Sequence, residues 1–207
     1  MWLRPDAFAA GVARQVLAAA SEARFRPLAA VPVRLERCAV RAPWAYMCRW
    51  ATTERLLLLD ALAALGPGLL VLWADNTGAS ACERMTAVKG RNDPRRREPG
   101  TLRDIAGSPN RVLTMLHCAD DAADVVRELG VLCSWAERSH LIKDAATRLY
   151  NGQDGGAQHG AALLDDDGLR SSRGVLHAVH PVLARGVVEL SDRLAVGVVE
   201  GDDPSGV

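Results

Sequence analysis

The apolar run GLLVLWA (68–74) is the clearest buried strand of the sequence, and it limits what the chain can fold into. An uninterrupted apolar run of this length, bounded by turn residues such as Gly66 and Pro67, is typical of a strand covered on both faces. The segments on either side, 52–65 and 77–90, have the apolar spacing of helices. A strand between helices indicates a mixed α/β protein rather than an all-helical or all-β one.

The other segments continue this alternation. Short apolar runs predict strands over 1–3, 27–35, 68–74 and 110–117, and apolar positions three to four residues apart predict helices over 7–25, 36–50, 52–65, 77–90 and 120–136. Two βαβ-like halves in this order predict a ferredoxin-like βαββαβ sandwich of α/β (α+β) class, with a four-stranded antiparallel sheet. Pro32 lacks the N–H that a central strand needs, so we expect strand 27–35 at an edge of the sheet.

The character of the chain changes after about residue 136. Residues 136–150 have helical spacing, the stretch that follows is rich in Gly, Asp and Ser, and apolar helical spacing returns near the end. We therefore expect a sandwich domain over 1–135 and a helical C-terminal extension over 136–207, with a flexible Gly/Asp-rich segment near 151–173. His177 and His180 have no evident third partner, so we expect no metal ligands there.

Charge and cysteine usage exclude several classes of protein. Lys+Arg and Asp+Glu both total 25, so the net charge is zero and no global basic field attracts nucleic acid or anionic lipid. The five cysteines are scattered and odd in number, which suits a reducing compartment better than a disulfide framework. Charged residues and Gly-Pro turns interrupt the apolar runs before they reach the length of a membrane span. We expect a cytoplasmic protein with no membrane and no specific nucleic acid as partner, and tryptophans mostly in the core.

A long loop and a histidine are the candidates for chemistry. Residues 91–109 contain three prolines, two glycines and five arginines, and long loops inside compact domains are usually functional. Arg103 follows the turn PGTL, which holds it in place for gripping phosphate, whereas Arg95–Arg97 are expected to be a solvated or inter-subunit face. His117 ends the next strand, and Glu128 lies eleven residues later on the following helix. A neutral imidazole oriented by a carboxylate attacks phosphorus, although a strand-end histidine alone is more often structural.

Four segments, in order, resemble the nucleoside diphosphate kinase family. They are LRPDAFAAGVARQVL (its opening lysine-Pro-Asp segment), GPGLLVLWAD (its central strand), NDPRRREPGTLRD (its loop ending in PGT and an arginine) and LHCADDAADVVREL (its histidine segment). The interval of eight residues between Pro94 and Arg103 is kept, and so is the interval of eleven from His117 to Glu128. The resemblance covers about two thirds of the chain, so residues 1–135 are similar to a nucleoside diphosphate kinase domain.

The resemblance implies roles for particular residues. His117 falls on the histidine that takes the γ-phosphoryl group of a nucleoside triphosphate, and Glu128 on the glutamate that orients it. For contact with the nucleotide and its phosphates the resemblance implies Arg4 (for the family's lysine), Tyr46 (for its tyrosine, one residue out of register), Arg84 (for its helix arginine, after a gap), Asn92 (for its threonine), Arg103, and Thr114 (for its asparagine). It also implies Mg²⁺ bound with ATP or another nucleoside triphosphate, and a homo-oligomer.

The departures from the family concern both ends of the site. Cys118-Ala119 replaces the family's Gly-Ser, which removes a hydroxyl beside the histidine. The helix arginine aligns with Thr86, and the phenylalanine that stacks on the base aligns near Arg55 or Leu56. The residues that contact phosphate in the family are thus mostly kept in this sequence, and those that contact the nucleoside are not. Cys118 is expected to be a small packing residue.

Three functions therefore stay open. The first is a divergent nucleoside diphosphate kinase-like phosphotransferase that carries phosphate on His117 to a nucleoside diphosphate or a specialised acceptor. The second is a catalytically silent nucleotide-binding or interaction module. The third is an enzyme with the same phosphohistidine chemistry and a non-nucleotide metabolite as acceptor.

Overall fold

A four-stranded antiparallel sheet is the centre of the fold. The computed structural model describes residues 1–36, 39–77 and 80–150, so the predictions for 151–207, including those for His177 and His180, lie outside the described residues. The strands are β1 (Trp2–Leu3), β2 (Phe25–Val33), β3 (Gly68–Asp75) and β4 (Leu116–His117), in the spatial order β2-β3-β1-β4. Every pairing is antiparallel. The predicted α+β sandwich is confirmed, and β2 lies at an edge as Pro32 indicated.

Eight helices in the described ranges surround the sheet: α1 (Pro5–Ala9), α2 (Ala13–Glu22), α3 (Ala45–Cys48), α4 (Thr53–Ala64), α5 (Ala81–Lys89), α6 (Leu102–Ile105), α7 (Ala122–Leu132) and α8 (Trp135–Tyr150). Short 3₁₀ turns cover Ala39–Trp44 and Pro94–Arg96. The helix predicted over 7–25 is two helices, because Gly11 has a φ of +73° and interrupts the helical backbone.

The strand predicted over 110–117 is much shorter in the structure. Only Leu116 and His117 pair with β1, because the Asn110 side chain engages the backbone before them. Its Oδ1 accepts hydrogen bonds from the N–H groups of Val112 and Leu113, both at 2.9 Å. An Asn that bonds the backbone two and three residues later makes a turn rather than a strand.

The pleat of β3 distributes its side chains to two apolar clusters. Leu69 and Val71 lie in one cluster with Leu3 and Val16, and Leu70 lies in the other with Trp2, Leu28 and Leu129. Alternate residues of a strand point to opposite faces, so both faces of the sheet are covered.

Helix α8 packs on the same sheet. Leu141 and Ala145 are buried in the cluster that contains Leu28 and Val33 of β2. The helical spacing noted after residue 136 is thus realised up to Tyr150, and the division at residue 135 stays a prediction. None of the helices in the described ranges has both the length and the apolarity needed to cross a membrane.

Candidate active site

His117 and Glu128 form a hydrogen-bonded pair at the end of β4. Helix α7 begins after Asp121, whose carboxylate accepts the N–H of Asp124, and this cap fixes the start of the helix. Glu128 is then buried on α7, with its Oε1 2.8 Å from Nε2 of His117. Because Glu128 follows His117 by eleven residues, it lies in the second turn of α7, where its side chain reaches back to the end of β4.

The pair leaves one imidazole nitrogen for chemistry. A carboxylate only accepts hydrogen bonds, so Nε2 of His117 donates to Glu128 and the lone pair stays on Nδ1. Burial lowers the pKa of His117 below its usual 6.5, and the opposing effect of Glu128 does not cancel it. At neutral pH the imidazole is therefore uncharged and nucleophilic at Nδ1.

Trp44 lies against this imidazole, and the sequence did not indicate it. The two ring centroids are 5.0 Å apart in an edge-to-face arrangement, and Trp44 also stacks with Trp2 at 6.1 Å. Tyr46, which the sequence placed in the site, has a side chain that is 68% exposed and does not line the cleft beside His117. The 3₁₀ turn Ala39–Trp44 turns Trp44 rather than Tyr46 toward the histidine. The tryptophans are also less uniformly buried than expected, since Trp50 and Trp135 are exposed.

Arg4 is a buried cation in the same cleft. Its Nη1 donates to Oγ1 of Thr114 at 2.8 Å, and its Nε lies 3.3 Å from the Asp6 carboxylate. The other oxygen of Asp6 accepts the N–H of Met115, which has a left-handed φ of +63°. A strained backbone persists only where its surroundings hold it, and Asp6 supplies that restraint two residues before His117.

Arg103 is the second buried cation. It donates to the carbonyl oxygens of Gly90 at 2.9 Å and Leu116 at 3.4 Å, and its Nε is buried without a partner within the described residues. Burial, with a contribution from the neighbouring charge of Arg4, lowers its pKa to about 10. Arg103 is still charged at neutral pH, and a buried guanidinium with an unused donor is suited to a phosphate oxygen.

Arg97 holds the arginine-rich loop together from within. Its guanidinium donates to the carbonyl oxygens of Arg91, Asn92, Arg103 and Ser108. The expectation of a solvated face therefore suits Arg95 and Arg96, which are exposed, but not Arg97. Through this network the loop presents Asn92 and Arg103 to one cleft.

Lys89 braces the chain just after His117, another contact absent from the sequence prediction. Its buried ammonium donates to the carbonyl oxygen of Cys118 at 3.2 Å and to Asp120 at 2.8 Å, and Thr86 also donates to Asp120. Cys118 itself is in the core, where burial raises the pKa of its thiol, in keeping with a packing residue. The sequence signal for this contact was the three-residue spacing of Thr86 and Lys89, which places both side chains on one face of α5.

One cleft brings most of the predicted site residues together. It is lined by Arg4, Trp44, Met47, Cys48, Ala51, Arg55, Leu59, Asn92, Arg103, Arg111, Val112, Thr114 and His117. Arg84 is not among them. Its Nε pairs with Asp75 at 2.6 Å and its guanidinium lies over the Phe25 ring, so the structure uses it to tie α5 to the sheet.

The cleft offers cationic and amide groups rather than ligands for a metal ion. Within the described residues there is no group of three His, Cys, Asp or Glu side chains placed to hold a metal, and Glu128 is engaged with His117. Carboxylate and carbonyl oxygens are what Mg²⁺ prefers, and it commonly binds through substrate phosphates. The Mg²⁺ that the sequence resemblance implies would therefore depend on oxygen ligands from a bound phosphate compound.

Of the comparisons with known proteins, only the one with solved structures found similar proteins. No protein-family model and no curated protein sequence matches the chain. Three solved structures, each covering 66% of this chain, are similar to it: a nucleoside diphosphate kinase from Aquifex aeolicus (TM-score 0.52, 18% identity, 94% of that chain), one from Borrelia burgdorferi as a transition-state mimic with vanadate and ADP (0.52, 16%, 86%), and a nucleoside diphosphate kinase family protein from Babesia bovis (0.50, 19%, 87%). At these identities the likeness concerns the fold alone: the chain has a nucleoside diphosphate kinase-like fold.

Proposed function

We propose that the protein is a phosphotransferase that carries a γ-phosphoryl group on His117 from a magnesium–nucleoside triphosphate to a nucleoside diphosphate or a specialised acceptor. The observation that carries this proposal is the imidazole of His117, which is held through Nε2 by Glu128 and lines a cleft with Arg4 and Arg103. Both guanidiniums line the cleft with His117, where they can bind the oxygens of a phosphate group. The nucleoside diphosphate kinase-like fold supports a role in nucleotide phosphoryl transfer in general, without supporting a particular acceptor.

The proposed reaction has two halves. In the first, the lone pair on Nδ1 of His117 forms a P–N bond to the γ-phosphorus, and the bond to the bridging oxygen breaks with its electron pair leaving on the nucleoside diphosphate. Arg103 and Arg4 offset the charge on the transferred oxygens. Glu128 accepts the Nε2 hydrogen bond throughout and stabilises the positive ring. In the second half an acceptor oxygen attacks phosphorus and Nδ1 leaves with its electron pair.

A labelling experiment tests the proposal. The full chain is incubated with γ-labelled ATP and Mg²⁺, while nucleotide binding is measured separately by calorimetry. We expect acid-labile, base-stable label on the protein, as for a phosphoramidate. Label that passes to added GDP or CDP supports exchange between nucleotides, and label that stays on the protein indicates another acceptor, including a non-nucleotide metabolite. Nucleotide binding without any label contradicts the proposal.

The second candidate function is a nucleotide-binding module without catalysis. One observation favours it: Cys118 is buried in the core and Ala119 follows, so neither residue after His117 supplies a hydroxyl to the site. Calorimetric binding of ATP with no label would be the result expected from such a module.

The rate of labelling is expected to stay on its plateau as pH falls through 6.5 and to decline only at more acidic pH. The lowered pKa of His117 keeps Nδ1 unprotonated there, and only the unprotonated form attacks. Initial rates from about pH 5 to pH 8, at nucleotide concentrations well below KM so that they report the free enzyme, measure the profile. In Glu128→Gln the carboxylate that raises the pKa of His117 is gone, so the decline should move to still lower pH. A midpoint above 6.5 in the unmodified protein would contradict the assignment.

A further inference from the structure

We infer that Arg55 and Arg111 form a second anion-binding subsite at the mouth of the cleft, which takes a phosphate or carboxylate group of the ligand outside the phosphate chain that reaches His117. This inference rests on the proposed function, since it names a property of the ligand at that same site. It concerns two arginines that the phosphoryl-transfer chemistry itself does not use.

The two side chains come from different elements. Arg55 is in the first turn of α4, where its N–H donates to the capping Oγ1 of Thr52 at 3.3 Å. Arg111 follows Asn110, whose side chain fixes the turn before β4. Both arginines line the cleft that contains His117. The cap and the turn therefore bring two guanidiniums from separate parts of the chain to one opening.

Neither guanidinium has a hydrogen-bond or ion-pair partner in the part of the chain that the structure describes. At four other positions an arginine that is not buried pairs with a carboxylate: Arg41 with Asp60, Arg84 with Asp75, Arg95 with Asp93 and Arg127 with Asp124. Burial and the nearby charge of Arg111 both lower the pKa of Arg55, so the two cations are close enough to repel one another. An anion between them removes that repulsion and supplies the missing acceptor.

The arrangement separates two charged regions of the cleft. Arg4 and Arg103 are buried beside His117, whereas Arg111 is exposed and Arg55 half-buried. Apolar side chains, Leu59 and Val112 among them, line the same cleft. A ligand that fits has a reacting phosphate at His117, a less polar body, and a further anionic group at the mouth. Nucleoside diphosphate kinases have an aromatic residue near this position that stacks on the base. In this chain, Arg55 would instead bind an anionic group.

Calorimetric binding of three probes to the full chain tests the inference. The probes are ADP, ADP with an additional phosphate on the ribose, and ADP with a succinyl carboxylate on the ribose, the last two as both the 2′ and 3′ isomers. Charge-assisted hydrogen bonds predict about tenfold tighter binding of at least one extra-anion probe than of ADP. The phosphate and carboxylate arms distinguish the two sources of the anion.

The double variant Arg55→Gln/Arg111→Gln should lose this preference and bind all probes about as ADP. Arg96→Gln, which replaces an exposed arginine outside the cleft, should keep it. Equal binding of every probe by the unmodified protein overturns the subsite. So does an equal loss for ADP and the extra-anion probes in the double variant, because this result indicates that the arginines contact the base or the common phosphates. Labelling with ATP is measured on the same proteins. If no phosphoryl group is transferred but an extra-anion probe still binds more tightly than ADP, the result contradicts the proposed function and leaves the subsite standing.

Discussion

Replacing His117 by alanine is expected to remove at least about 10⁴-fold of the labelling rate with γ-labelled ATP, because the substitution deletes the nucleophile. The variant should lose some stability with the contacts to Glu128 and Trp44 but keep the fold, since the backbone of His117 still pairs with β1 and Arg127 remains 3.4 Å from the Glu128 carboxylate. Nucleotide binding should change little, because Arg4 and Arg103 remain. Acid-labile label per mole of protein, with the binding constant for ATP measured in parallel, gives the result.

His140→Ala is the matched control for this variant. His140 is an exposed histidine on α8, with an ion pair only to Asp144, and its loss should leave labelling unchanged. Glu128→Gln should fall between the two, slowing labelling by about 10²-fold, because the amide oxygen still accepts from Nε2 without a charge to stabilise the phosphorylated ring. Undiminished label in the His117→Ala protein would mean that another residue carries the phosphate.

Replacing Gly90 by alanine is expected to cost about 3 kcal/mol or more of the free energy of unfolding. Gly90 has φ +80° and ψ 166°, a region that is essentially closed to residues with a Cβ. A Cβ there would also overlap the side chain of Thr101. Because the carbonyl oxygen of Gly90 accepts a hydrogen bond from Arg103, nucleotide binding should weaken as well. Urea unfolding and ATP calorimetry on the same preparation measure both effects.

Gly100→Ala is the comparison variant, in which a Cβ is added at a positive φ without a collision. Gly100 also has a φ of +80°, but no atom lies within 4 Å of the position that its Cβ would take. Only the backbone penalty of about 1–2 kcal/mol applies there. If the two variants unfold at the same urea concentration, the overlap with Thr101 adds no measurable cost in Gly90→Ala.

The parts of the site that the sequence predicted are those fixed by short intervals. His117 and Glu128 meet because a strand end and a capped helix are eleven residues apart, and Arg103 is set by the rigid turn before it. Trp44 and Lys89 reach the site through space from other elements, and no interval along the chain encodes that approach. These two residues were missed for that reason.

Arg84 and Tyr46 were predicted by alignment over shifted registers. A shift on a helix rotates the side chain to another face, which is how Arg84 comes to pair with Asp75 instead of lining the cleft. The fold class was easier, because the apolar pattern of the strands and helices determines it with little dependence on register. The strand before His117 was overestimated, since a side chain rather than the pattern decides its backbone.

The two edges of the sheet also constrain how copies of the chain can associate, a question raised by the predicted homo-oligomer. Edge strand β2 contains Pro27 and Pro32, which lack the N–H that a further strand would need, and edge strand β4 is two residues long. Within the described residues, a neighbouring copy therefore finds no long ladder of free donors and acceptors on either side of the sheet. Joining these edges into one continuous sheet is disfavoured, so in the part of the chain that the structure describes the helices and loops are the surfaces left for self-association.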